Sequence, residues 1–166
     1  MEGRQGRGAV SDLLQDHRGL KKLATTTRTS YLAAKAKSGV RYTFTVRCVS
    51  ANGKTYTSGY DAAGRTVMPM TTPKVKAANA ADCIKITWNR IAGADAYRVY
   101  FKAKGSGGWN VLEDVKTTNY YWSGGVLGMS YAFTVRAVDT RSGSLSPYKG
   151  SGYLRYAPEV ASATDT

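Results

Sequence analysis

The chain has 166 residues, 42% of them hydrophobic, so it holds one domain or two small ones with modest cores and is not disordered throughout. Its 24 Lys+Arg against 11 Asp+Glu give +13, a charge that favours polyanionic surfaces, although the cations are dispersed and form no long basic run. Two cysteines are too few for a disulfide scaffold and one histidine too few for a zinc or triad site, and no apolar run nears the ~20 residues of a membrane span.

The opening "MEGRQGRGAVSDLLQDHR" has no apolar core segment and does not read as a secretory signal. Within it, "SDLLQDHR" suggests a short helical turn, with Ser11 as cap and Leu13 and Leu14 apolar, so 1–18 is expected to be irregular or briefly helical. His17 lies there with Asp12 and Asp16 as its acidic neighbours, which is not a catalytic set.

Further on, "YTFTVRCV" at 42–49 returns as "YAFTVRAV" at 131–138. A shift of 89 positions aligns 19–49 with 108–138 without a gap, pairing Leu23 with Leu112, Thr29 with Thr118, Tyr31 with Tyr120 and Gly39 with Gly128. One residue of slippage then brings Ser58, Tyr60 and Gly64 onto Ser146, Tyr148 and Gly152. Tyr42, Phe44, Val46 and Cys48 alternate with Thr43, Thr45 and Arg47, the pattern of a strand with one buried face. An internal repeat of this length is a repeated domain. High Gly (18) and Tyr (12) fit an all-β chain with many turns.

The first copy, 19–70, is incomplete, because subtracting 89 from Trp88 lands before Met1 and the places of Tyr97 and Phe101 fall on Gly8 and Asp12. Its apolar face should have one uncovered side, and Val10, Leu13 and Leu14 are the residues nearest in sequence to fold over it. After the Pro-punctuated "MPMTTPKV", the second copy at 73–158 is complete. "CIKITWN" sets Ile84, Ile86 and Trp88 on one face, and "AYRVYFK" sets Tyr97, Val99 and Phe101 inward with Arg98, Tyr100 and Lys102 outward. Further strands are expected near 109–115, 118–122, 130–138 and 151–156, which makes a β-sandwich. A tail, 159–166, is expected to be disordered.

"IKITWNRIAGADAYRVYFK", followed by "TNYY" and "SYAFTVRAV", resembles a fibronectin type III domain, and more narrowly the tandem repeats of Gram-positive surface and secreted proteins. The resemblance implies tandem all-β sandwiches with the first incomplete, Trp88 as core tryptophan, and Tyr131 and Tyr42 as tyrosine-corner residues. Ala36 and Gly125 stand where that pattern has a buried aliphatic, which leaves Val126 or Met129 to fill the space. It also implies an extracellular or cell-wall location, other domains of the same or a larger protein as neighbours, and no catalysis.

By strand parity Cys48 points inward as a small core filler and Cys83 outward, in different copies, so no disulfide joins them. "GSGGWN" and "NGKT" lack the full phosphate-loop pattern and read as hairpin turns. Trp109, Tyr100, Tyr121 and Trp122 fall on outward or edge positions where flat rings could hold a sugar face. The plainer reading has Trp109 covering a hairpin and Trp122 tucked beneath a turn. The scattered Arg47, Arg136 and Lys85 form no basic stripe, and nucleic acid is not an expected partner. No metal or cofactor is expected. The chain therefore reads as a spacer or adhesion module, with binding of a carbohydrate or an anionic cell-wall polymer as the alternative.

Overall fold

A computed structural model of the chain describes residues 9–16 and 19–156, and all its regular secondary structure is β-strand. His17 and the tail at 159–166 lie outside the described residues. The chain divides into two compact units, Met1–Met68 and Pro69–Thr166.

Unit 1 is one antiparallel sheet of β1 (Ala9–Asp16), β2 (Gly19–Thr26), β3 (Tyr42–Val49) and β4 (Arg65–Val67), in the order β2-β1-β3-β4. The helical turn expected around Ser11 is instead strand β1, bonded to β2 on one side and β3 on the other. One cap residue and two leucines are weak local signals, since helices shorter than about 12–15 residues are marginal alone. Two flanking ladders satisfy many more backbone groups. Val10, Leu13 and Leu14 therefore sit in the middle of the sheet, and the expected fold-over of this segment does not occur.

Unit 2 adds β5 (Lys76–Asn79), β6 (Ile84–Thr87), β7 (Ala96–Ala103), β8 (Asn110–Val115), β9 (Asn119–Trp122), β10 (Ser130–Asp139), β11 (Ser144–Leu145) and β12 (Tyr153–Tyr156). They form two antiparallel sheets. One has the order β5-β6-β9. The other runs β8-β7-β10, with β11 and β12 both on the far edge of β10. Trp122 of the smaller sheet packs against Phe101, Tyr131 and Phe133 of the larger, at 5.0, 4.7 and 5.2 Å between ring centres. The core expected from alternation lies in this interior: Trp88, Tyr97, Val99, Tyr131, Phe133 and Val135 are all buried.

The order β2-β1-β3-β4 matches β8-β7-β10-β12 strand for strand, and the bridge Val49–Tyr56 stands where β11 meets β10. Nothing among the described residues of unit 1 corresponds to the smaller sheet. Tyr31, aligned with Tyr120 of β9, is not in a strand. In unit 2, β9 pairs with β6, and without that partner its ladder would leave backbone groups unsatisfied.

The consequence is visible on β3. Val135 is 1% exposed, whereas its counterpart Val46 is 50% exposed. Ala137 is fully buried, but Cys48 in the same place is exposed, contrary to its expected role as core filler. By strand parity Cys48 shares a face with Tyr42 and Phe44, and the described residues of unit 1 hold no second sheet to cover that face. On this side Leu23, Tyr31, Leu32, Tyr42 and Phe44 line a half-open groove of about 330 Å³.

Candidate functional site

Both units build the same corner and the same edge. Tyr131 accepts a hydrogen bond at its hydroxyl from the Val126 amide (2.9 Å), and Tyr42 accepts one from the Lys37 amide (3.0 Å). Each bond reaches back five residues and ties the crossing loop to the strand. Val126 and Met129 are 66% and 45% exposed, so neither fills the space below the corner. Trp122 does, edge-on to Tyr131.

At the strand edge, Ser146 Oγ accepts from the Ala137 amide at 2.9 Å, and Arg136 Nε donates to the Ser146 carbonyl at 2.8 Å. In unit 1, Ser58 Oγ accepts from the Cys48 amide (2.9 Å) and Arg47 Nε donates to the Ser58 carbonyl (3.3 Å). The guanidinium of Arg136 lies 5.3 Å from the centre of the Tyr148 ring, and that of Arg47 lies 3.8 and 5.3 Å from Tyr56 and Tyr60. These cation–aromatic contacts hold the arginines along the sheet.

On the outer face of the larger sheet of unit 2, Tyr100, Trp109, Thr134, Arg136 and Tyr148 enclose a half-open pocket of about 70 Å³. Strand pairing sets Thr134 opposite Tyr100 and Arg136 opposite Arg98. Two cations facing each other repel. Arg98 is drawn off by Asp114, with bonds of 2.7 and 2.8 Å, and that guanidinium holds the Asp114 carboxyl below its ordinary range. Trp109 meets Tyr148 edge to face at 6.4 Å, with Lys102 4.8 Å from its ring centre. The pocket is thus aromatic-walled and cationic at its rim.

Gly152 holds the Trp109 wall close. Its φ is +69°, and an added Cβ would lie 2.6 Å from Trp109 Cη2 and 3.0 Å from the Phe133 carbonyl oxygen. Gly64 takes the same part in unit 1, with φ +60° and the Phe44 oxygen at 2.7 Å. Gly152→Ala is therefore expected to cost about 1–2 kcal/mol for the left-handed backbone alone. Denaturant unfolding followed by tryptophan fluorescence should show the loss together with an altered Trp109 signal; an unchanged midpoint would contradict the packing described.

Of the four aromatic residues expected to face outward, the structure brings Trp109 and Tyr100 together in this pocket. Tyr121 is 56% exposed on the other sheet, beside Lys85. Trp122 is a correction: at 7% exposure it belongs to the interior, with no ring face open to a ligand. Neighbouring residues of a strand face opposite ways, so Tyr121 and Trp122 do not share the outer face: β9 sets Trp122 opposite the buried Ile84 and Tyr121 opposite Lys85, and Gly124 passes close to the indole. Sequence reasoning missed Thr134, Arg136 and Tyr148 as pocket residues. The available signal was the recurrence of Ser-x-Tyr with an arginine on the neighbouring strand.

No family model matches the chain, and no curated protein matches it. Solved structures do. A cytokine receptor complex is 13% identical with a TM-score of 0.56, over 95% of this chain and 90% of that one. A two-domain fibronectin type III segment of chicken tenascin is 16% identical with a TM-score of 0.48, over 93% and 87%. The FN1–FN3 domains of chicken CNTN1 are 11% identical with a TM-score of 0.46, over 92% and 57%. At such identities the likeness is one of fold alone, and of these three only the cytokine receptor complex exceeds a TM-score of 0.5; the described residues of this chain are all-β.

Proposed function

We propose that the chain is a non-catalytic module of an extracellular protein, acting as a spacer and as an adhesion surface. The observation that carries this reading is the division of labour in unit 2. Its interior is given to packing, with Trp88, Val99, Phe133 and Val135 sealed between the sheets. Its cations stand outside, with Lys102, Arg136 and Lys149 each over an aromatic ring. The nearby domains of a larger protein are natural neighbours for such a unit. A Gram-positive surface or wall as its setting rests on the sequence resemblance alone. Among the described residues no helix is long and apolar enough to cross a membrane.

A second reading, binding of an acidic glycan or wall polymer, is favoured by the charge of +13 and by the cationic, aromatic-walled pocket. Beads coated with the chain test both. On the spacer-and-adhesion reading they should attach to cell surfaces more firmly than bare beads; failure to attach removes the adhesion part. On the second reading they should also retain acidic polysaccharide at low salt. Retention should fall steeply toward 1 M salt, where the screening length shrinks to about 3 Å. Equal retention of neutral polysaccharide, or none of the acidic kind, rules the second reading out.

A further inference from the structure

Thr134 is 2% exposed, and its hydroxyl has no hydrogen-bond partner among the described residues. A buried hydroxyl without a partner costs stability, so structures rarely retain one unless something visits it. The strand does not require it. The matching hydroxyl of unit 1, Thr45, donates to the Asp61 carbonyl at 2.7 Å. In unit 2 the Thr134 hydroxyl meets no such carbonyl among the described residues. Leu20 stands in unit 1 where Trp109 stands in unit 2, so only the second unit places aromatic walls around the hydroxyl.

What could use it is narrowed by the neighbours. Arg136 spends its Nε on the Ser146 carbonyl, and among the described residues its terminal nitrogens have no hydrogen-bond partner. Lys102 adds a cation over Trp109. A hydroxyl donor beside a guanidinium selects a carboxylate. The volume of about 70 Å³ is roughly that of two waters, enough for a carboxylate and the carbon bearing it. The rest of the ligand would lie at the mouth, against Trp109 and Tyr148. Rings set at 86° to each other offer an apolar corner that suits the C–H face of a sugar ring.

We propose that this pocket binds the carboxylate of an acidic sugar, a uronate. Thr134 donates to one carboxylate oxygen, Arg136 supplies the opposing charge, and Trp109 and Tyr148 pack against the sugar ring. The proposal rests on the acidic-glycan reading above and gives it an address.

Nuclear magnetic resonance of the full chain titrated with glucuronate tests it, with glucose and a short poly-glutamate peptide as comparisons. Glucuronate should shift the amides of Thr134 and Arg136 and the Trp109 indole, while glucose should leave them in place. Thr134→Val keeps the shape and removes the donor, and should weaken glucuronate binding about ten-fold, the size of a hydrogen bond to a charged group. In the free protein the same change removes an unsatisfied group and should leave the melting temperature equal or higher. A lower melting temperature would mean that the hydroxyl already has a partner, and the proposal fails. It fails also if glucose shifts the same signals, if Thr134→Val binds as well as the parent, or if poly-glutamate fills the pocket equally, which would make it a peptide site. Retention of the parent on polygalacturonate beads without shifts at the pocket removes the pocket and keeps the acidic-glycan reading. No retention on any acidic polymer removes both.

Discussion

Trp88→Ala is expected to lower the stability of unit 2 by about 3–5 kcal/mol, the range for truncating a buried aromatic. Trp88 is 6% exposed and packs 5.5 Å from Tyr97, at an interplanar angle of 60°. Tyr97 in turn accepts from the Ile91 amide at 2.9 Å and so pins the loop between β6 and β7. Losing the indole would leave a cavity at the base of that loop and loosen the tyrosine that organises it. The Trp88 Nε1–H has no partner among the described residues, so truncation breaks no hydrogen bond and the loss is one of packing. A small domain holds only about 5–15 kcal/mol in total, which makes this a large fraction. Denaturant unfolding with Trp109 and Trp122 as reporters measures it. A loss below about 1 kcal/mol would show that the interior is not organised around Trp88.

The second large effect is a difference between the two copies of one strand. Backbone amides of β3 should exchange with solvent at least about a hundred-fold faster than those of β10, a gap near 2.7 kcal/mol at about 1.4 kcal/mol per factor of ten. Fully burying a side chain the size of valine is worth about 1.5–3 kcal/mol, and Val46 at 50% exposure forgoes about half of that. Cys48 is exposed, and Tyr42 and Phe44 are half-buried where Tyr131 and Phe133 are buried. The ladders themselves are comparable, since β3 and β10 are each bonded on both sides. Uncovered side chains, not missing backbone bonds, therefore set the difference. Equal protection of Tyr42–Val49 and Tyr131–Val138 in hydrogen–deuterium exchange would show that the exposed face is covered in solution.

Much of this was legible because alternation and recurrence report the backbone directly. Phe133, Val135 and Val99 announce a buried face by their spacing, and the matches of Ser58 with Ser146 and Gly64 with Gly152 proved to be the same hydrogen bonds and the same left-handed turn. Strand β1 was not legible. Its residues follow no period of two, and what makes them a strand is the presence of β2 and β3 on either side. Parity groups Cys48 with Tyr42 and Phe44, but burial depends on a second sheet, which no pattern within one strand can report. The pocket was half legible. Outward parity gave Tyr100 and Trp109, while Tyr148 arrives from across the sheet, and whether the Thr134 hydroxyl finds an acceptor depends on what faces it, which strand parity does not report.

The thiol of Cys48 gives the open face of unit 1 a built-in chemical reporter. It lies two residues from the half-exposed Val46, and its counterpart within the second unit, Ala137, is fully buried. Cys83, only partly exposed and in the other unit, serves as the internal reference in the same molecule. The ratio of alkylation at the two sulfurs therefore reads how much of that face is occupied, without altering a residue. Shielding of Cys48 when a cell extract, a second copy or a longer form of the chain is present would register the arrival of a cover and, by titration, its affinity.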